Sequence, residues 1–327
     1  MAEPLHTLFS YTEQEKLSSE VLENETPLGL HWKNFAQRWK ALGRSVHTLR
    51  SVRSAIRNLM RSSNLRSIEQ ANTPCYMSDL LLEIQHRKNL TACTRNTYLK
   101  NLNTYMIWLE KRGIIDENRL RKAEKSTEPQ IEQPCQTKEE IQQVIEHTQT
   151  RDYFHILGRD RDILFLRLLC FTGARRCELL DMHMNDIYIN DGMWTIRIYG
   201  RKRKGRIRYY SCPNYILEIY HRYKKERMLT GITISALFIS LRTGKPWTLD
   251  AVNLFYRRVS RETGIAFSGH RVRRYVATKL HYSGLSLYEI GEYLGHTREQ
   301  TTRLYIRRTK ALTQKASRLM SGDLNCD

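Results

Sequence analysis

Residues 270–305 read HRVRRYVATKLHYSGLSLYEIGEYLGHTREQTTRLY, and this stretch decides the fold and the chemistry expected of the chain. It carries two imidazoles, an arginine one helical turn after the first, and a tyrosine at its end. Residues three apart share a helix face, so the His270 ring and the Arg273 guanidinium can address one target while Arg271 and Arg274 project elsewhere. Gly295 and His296 interrupt the helical pattern of residues 285–294, and Thr297 with Gln300 has the spacing of a capping box that opens a new helix. His296 then sits at the mouth of that helix, with Tyr305 about two turns into it. A phenol, with a reference pKa of about 10, is a poor nucleophile until its proton is drawn away and cations hold the charge developing on its target. Two arginines and two imidazoles around one phosphate meet that need. Taken singly, each residue has a blander reading: packing for the tyrosine, a solvated face for the HxxR pair, a helix stop for Leu-Gly-His. Their joint spacing, with a second arginine stretch upstream, is what sets the segment apart.

That upstream stretch, residues 171–180, reads FTGARRCELL; it follows the apolar run 163–170 and leads into Met184, Asn185, Asp186 and Ile187. Here the chain resembles the tyrosine recombinase, or phage integrase, family. The family's first box, T-G-x-R-x-x-E-L, is matched at Thr172, Gly173, Arg175, Glu178 and Leu179. Its second, H-x-x-R, is matched at His270 and Arg273, followed by the usual alanine and threonine at Ala277 and Thr278. Its third, L-G-H with a tyrosine nine residues after the histidine, is matched at Leu294, Gly295, His296 and Tyr305. The resemblance spans roughly residues 30–310. It implies a mainly α fold with a small antiparallel β-sheet, the two-domain arrangement of DNA breaking-rejoining enzymes, in which a helical core-binding domain precedes an α+β catalytic domain.

Composition points the same way. A formal net charge of +20 over 327 residues self-repels unless a polyanion shares it, and nucleic acid is the simplest partner. No run of about eighteen apolar residues is available to span a membrane, and residues 1–26 lack the basic start and apolar centre of a signal peptide. The expected compartment is the one that holds DNA, the cytoplasm, with nucleoid association in a bacterium or archaeon. Seven cysteines, odd in number and in no CxxC or Cys/His cluster, read as reduced packing thiols. No set of carboxylates is spaced for a metal nuclease, so neither metal nor other cofactor is expected.

Along the chain, residues 1–28 form an acidic arm with Glu13, Glu15, Glu20, Glu23 and Glu25, expected to be loosely ordered or to dock as a short helix on a partner subunit. Residues 29–116 have helical periodicity. Trp32, Phe35, Trp39 and Leu42 make one stripe, and Tyr98, Leu102, Tyr105, Met106 and Leu109 another. Two further helices are expected over residues 45–60 and 77–86. Ser45 caps the first of these, which carries Arg50, Arg53 and Arg57 as DNA contacts on its polar faces. Residues 117–136 lose periodicity and contain Pro129 and Pro134, as expected of a linker or the hinge of a clamp. The catalytic domain is expected over 137–310, opened by a Thr137 cap with Glu139 and Glu140 in the first turn. Within it, helices are read at 159–170, 213–229 and 249–262, and strands at 187–189, 193–199 and 206–210, the last two joined across the basic stretch GRKRKG. Residues 311–327 are a basic tail that either contacts a neighbouring protomer or frays.

What the resemblance implies for the chemistry is specific. Tyr305 attacks a DNA phosphodiester, forms a 3'-phosphotyrosyl bond and releases a 5'-hydroxyl, without metal or nucleotide. Arg175 and Arg273 present forked donors to the non-bridging oxygens, whose charge grows in the transition state. His270 accepts or relays the phenol proton, and His296 donates to a phosphate oxygen. The family's hairpin lysine protonates the leaving oxygen. Lys202 lies nearer the expected position after Gly200, and Lys204 is the alternative, because the family's G-K-G is replaced here by Gly200, Arg201 and Lys202. Arg201, Arg203 and Lys204 also suit phosphate tracking. Glu178 orients a histidine or an arginine, or forms a plain structural ion pair. The implied partners are double-stranded DNA, a homo-tetramer on two DNA sites that passes through a Holliday junction, and accessory DNA-bending or directionality proteins. The product is integration, excision or resolution of DNA. Two alternatives stay open: a type IB topoisomerase-like strand transferase, and a catalytically silent DNA-binding protein of the same fold.

Overall fold

The computed structural model describes residues 28–127, 134–200 and 206–296. The chain divides into two compact units, one up to residue 130 and one from residue 131.

The first unit is helical: α1 (Trp32–Ala41), α2 (Val46–Ser62), α3 (Ile68–Ala71), α4 (Pro74–Arg87) and α5 (Ala92–Lys111). Ser45 caps α2 by accepting from the Thr48 N–H, and Thr91 caps α5 by accepting from the Thr94 N–H. The short α3, additional to the four helices expected, opens on a capping box between Ser67 and Gln70. Leu49, Val52, Ile56 and Leu59 of α2 share a core with Leu102, Tyr105, Met106 and Leu109 of α5. Phe35 of α1 packs edge-on to Tyr105 at 5.2 Å and to Trp108 at 5.5 Å, and the Tyr105 hydroxyl donates to the Leu28 carbonyl. Leu42, expected on the apolar stripe of α1, is instead exposed, because the helix ends at Ala41 and its side chain leaves the buried face. Of the three arginines expected on polar faces of α2, Arg50 is exposed while Arg53 and Arg57 are half-buried.

Residues 118–126 are fastened to this unit, although their composition reads as linker. Leu120, in the 3-10 turn Arg119–Lys122, and Ala123 are buried in its core. Buried Arg95 reaches the carbonyls of Ser78 and Glu124 and the Ser126 hydroxyl, and the Asn96 amide both donates to and accepts from the Ser126 backbone. Side chains of α5 satisfy the backbone of the segment, so it needs no apolar periodicity of its own to be ordered.

In the second unit α6 (Lys138–Thr150) leads to α7 (Ile156–Thr172) and α8 (Arg176–Leu180). An antiparallel sheet follows in the order β1 (Ile187–Asn190), β2 (Met193–Tyr199), β3 (Ile207–Ser211). Then come α9 (Asn214–Leu229), α10 (Leu249–Thr263), α11 (Gly269–Tyr282) and α12 (Leu287–Leu294). The expected Thr137 cap is present as a capping box with Glu140. Helix α7 is buried or half-buried on every side after Ile156, with Leu157, Ile163, Leu164, Phe165, Leu166, Leu168 and Leu169 all buried, and it forms the middle of the core with other elements packed around it. In the sheet, Ile196 pairs with Tyr210 and Ile198 with Arg208, and these four face inward.

Two fully buried carboxylates on α7 tie it to its neighbours. Asp160 accepts from Nε and Nη2 of Arg222 on α9 at 2.6 and 2.8 Å. Asp162 accepts from Arg161, from the Tyr153 hydroxyl and from Arg258 on α10. Removing one partner of a buried pair leaves the other charge uncompensated. Asp162→Ala is therefore expected to lower the unfolding free energy by about 3 kcal/mol in urea titration. Asp152→Ala at the exposed end of the same region is expected to stay within about 0.5 kcal/mol of wild type.

Candidate active site

Two helices end at the site on left-handed glycines. Helix α7 stops at Gly173, φ 59°, where a Cβ would fall 2.6 Å from Leu294 Cδ2 and 3.2 Å from Val276 Cβ. Helix α12 stops at Gly295, φ 69°, where a Cβ would fall 3.0 Å from Arg208 Nε. Glycine is required at both positions for conformation and for close approach. The last carbonyls of a helix lack intrahelical partners and sit at the negative end of its dipole. Arg273, only 1% exposed, meets both ends at once: Nη1 donates to the Gly173 carbonyl at 2.7 Å and Nη2 to the Leu294 carbonyl at 2.6 Å. Arg208 Nη1 donates to that same Leu294 carbonyl at 2.8 Å.

Arg175 stands at the N-cap of α8 and Glu178 three residues on. The buried Glu178 carboxylate accepts from the Arg175 backbone N–H at 3.0 Å, from Arg175 Nη1 at 2.8 Å and from Arg208 Nη2 at 2.6 Å. Burial alone would raise its pKa, but the Arg208 charge and the bonds from Arg175 hold it below the ordinary carboxylate value. Of the partners expected for Glu178, it is arginine that it holds, two of them.

His270 occupies the first turn of α11, exposed, on a helix capped by Ser268. Partial desolvation and then the charges of Arg176, Arg273, Arg274 and Arg175 move its pKa below the usual imidazole value. His296 is buried, and its backbone N–H donates to the Gly291 carbonyl at 2.8 Å. Burial, then Arg273, Arg175 and Arg208, push its pKa down to about 3, with Glu178 opposing. Both rings are neutral at pH 7.

The structure thus brings Arg175, Glu178, Arg273 and His296 together, with His270 in the field of the same arginines. Lys202, Lys204, Arg201, Arg203 and Tyr305 lie outside the described residues. So does the helix expected after Thr297. Arg208 is a member of the network that sequence reasoning missed. Its signal was strand parity: in the run Arg206, Ile207, Arg208, Tyr209, Tyr210 the apolar Ile207 faces out, and Arg208 shares the inner face with Tyr210. Among the described residues no group of three or more His, Cys, Asp or Glu is arranged to hold a metal ion, and no helix is long and apolar enough to cross a membrane.

Against known proteins, the profile of the phage integrase family matches residues 136–311. Tyrosine recombinase XerS of Streptococcus pneumoniae is 27% identical over 151 residues, 45% of this chain and 42% of that protein, so the chain matches less than half the length of this relative. Three solved structures are similar in fold. The XerH site-specific recombinase bound to palindromic difH substrate, a post-cleavage complex, has TM-score 0.64 and 19% identity, covering 86% of this chain and 82% of that one. A lambda integrase dimer bound to a core site has TM-score 0.64 and 17% identity, covering 89% and 80%. The Tn1549 transposon integrase in complex with a circular intermediate DNA has TM-score 0.65 and 16% identity, covering 90% and 99%.

The depressed pKa of His296 has a thermodynamic consequence. The unfolded chain binds a proton on this ring below about pH 6.5 that the folded chain refuses until about pH 3, so its contribution is full above 6.5 and is lost as pH falls toward 3. His296→Gln is expected to flatten the fall in urea midpoint between pH 7 and pH 4 relative to wild type. An unchanged slope would mean that the ring already titrates normally in the folded protein.

Proposed function

The chain belongs to the phage integrase family, and on that premise we propose that it is a site-specific DNA recombinase that cleaves and rejoins duplex DNA through a 3'-phosphotyrosyl intermediate on Tyr305. The observation that carries the reading is the single hydrogen-bonded network in which Arg208 and the Leu294 carbonyl join Arg175 and Glu178 to Arg273 at the ends of two helices, with His296 buried beside it and His270 at its edge. Three sequence boxes far apart in the chain meet there.

In the proposed reaction the Tyr305 oxygen bonds to phosphorus as the bond to the 5'-oxygen breaks. His270 takes the phenol proton, a role that its lowered pKa suits by keeping the ring neutral. Lys202, or Lys204, protonates the departing 5'-oxygen. Arg175, held by Glu178 with 22% of its side chain accessible, addresses a non-bridging oxygen. Arg273 acts from beneath: both its terminal nitrogens donate to carbonyls, and since each carries two hydrogens, anchoring and donation to a phosphate are compatible. His296 serves as a neutral N–H donor, since a ring with pKa about 3 holds no extra proton to give at pH 7. The ester bond to tyrosine stores the energy for rejoining, so neither nucleotide nor metal enters. Arg50, Arg53, Arg57, Arg201, Arg203 and Lys204 contact DNA, four protomers assemble on two sites, and accessory DNA-bending or directionality proteins join them. The residues between the two units act as the hinge of a clamp. The protein works in the cytoplasm, and at the nucleoid if its host is a bacterium or archaeon.

The test is recovery of DNA covalently attached to the protein from cells, followed by cleavage of a nicked duplex of the recovered sequence. Tyr305→Phe is expected to bind that duplex and form no adduct; an adduct on this variant would show that another residue is the nucleophile. Arg175→Ala is expected to slow adduct formation by about 100- to 1,000-fold with little change in affinity. Equal loss of both would assign it to DNA positioning alone.

A further inference from the structure

Strand β3 and the residue just before it grip the last turn of α12 with three alternate side chains. Arg206 pairs with Glu292 at the surface, Arg208 donates to the Leu294 carbonyl, and the Tyr210 hydroxyl donates to the Tyr293 carbonyl at 2.6 Å. Arg208, 6% exposed like Tyr210, differs from the other two in that its second arm reaches across to Glu178 at 2.6 Å, the carboxylate that holds Arg175. The edge of its guanidinium lies against the Gly295 backbone, so closely that a methyl group there would meet Nε, Cδ and Cζ at 3.0 to 3.2 Å. One planar cation therefore touches three things: the carboxylate that sets Arg175, the carbonyl that it shares with Arg273, and the turn from which His296 projects. A buried charge is costly unless well bonded, and a methionine would fill the same volume without that cost. A strand that needed only packing would carry an apolar residue here.

We propose that Arg208 is a positioning residue of the strand-transfer site, which fixes the Gly295–His296 turn and the Glu178–Arg175 pair in one register. The inference rests on the recombinase reading above. Arg208 acts through Arg175 and His296, not on the DNA. The groups acting on His296 are Arg273 from α11, Arg175 and Glu178 from the first box, and Arg208 from β3. Removing Arg208 takes away one of three cations that resist protonation of the ring.

The experiment compares wild type, Arg208→Met and Arg208→Lys on the nicked duplex of the trapped sequence, at saturating DNA and across pH, with histidine ring NMR in parallel. Arg208→Met is expected to bind DNA as wild type does and to form adduct about 100-fold more slowly, the size of effect that a displacement of about 1 Å produces. Arg208→Lys, which keeps charge without the planar fork, is expected to recover part of that rate. In NMR the His296 ring of wild type is expected not to titrate between about pH 5 and 8, and that of Arg208→Met to move upward toward the ordinary value near 6.5. If Arg208→Met does not fold, Glu178→Gln/Arg208→Met removes both charges together and is expected to show the same slowed cleavage. A folded variant that cleaves within about threefold of wild type, with His296 unmoved, overturns the inference, as does a deficit that vanishes at saturating DNA. A wild-type protein that forms no adduct overturns the recombinase reading and this inference with it. A wild type that does, matched by Arg208→Met, overturns this inference alone.

Discussion

The Leu294 carbonyl is the acceptor on which the geometry of the second unit's site depends. It closes α12, lacks an intrahelical partner, and takes two guanidinium bonds, from Arg273 on α11 and from Arg208 on β3. Because Arg273 extends its other arm to Gly173 at the end of α7, two helix ends from opposite sides of the sequence converge on one cation. That convergence is possible only where the chain can turn left-handed without a side chain in the way. A Cβ at Gly173 would strike Leu294, and one at Gly295 would press on Arg208. The glycines of the first and third boxes are thus the steric condition for the arginine of the second to reach both.

The same contacts set the protonation of the site. His296 is buried beside three guanidiniums with one carboxylate opposing them, and His270 lies near four, so both rings lose their extra proton. The division of labour follows from burial. Exposed His270 can exchange a proton with an incoming group, whereas buried His296 offers a fixed donor. Glu178 keeps its charge despite burial because two arginines bond to it, and that charge in turn ties Arg175 to Arg208.

Much of this was legible in the sequence, for reasons that can be named. The Ser45 and Thr137 caps, the apolar stripes of α1 (save Leu42) and α5, and the three strands follow from local chemistry, and the structure has each of them within a residue or two. The grouping of Arg175, Glu178, Arg273 and His296 was legible through the three boxes. What stayed hidden depends on partners distant in the chain. Residues 118–126 look like linker because Arg95 and Asn96, not their own side chains, satisfy their backbone. Arg208 looks like one more cation in a basic run, since its burial is set by sheet register and by the arrival of Leu294. Arg273 was expected to present its fork to a phosphate, and nothing local reveals that two helix ends would claim it as well.

Arginine clusters recur in this unit, and their exposure and the groups that meet them separate structure from chemistry. On α7, Asp160 and Asp162 face Arg222, Arg161 and Arg258, two carboxylates for three guanidiniums, and the side chains of Arg222 and Arg258 are 45% and 32% open to water that screens the excess. At the site the compensation is of another kind. Arg175, Arg208 and Arg273 are met by the single carboxylate of Glu178 and by two helix ends, each worth about half an elementary charge. From these groups about one positive charge is left over, which is the charge that a single phosphodiester brings. An arginine cluster largely buried against helix ends is stable enough to fold, yet it retains a positive field, little screened by water, at the place where the three boxes meet.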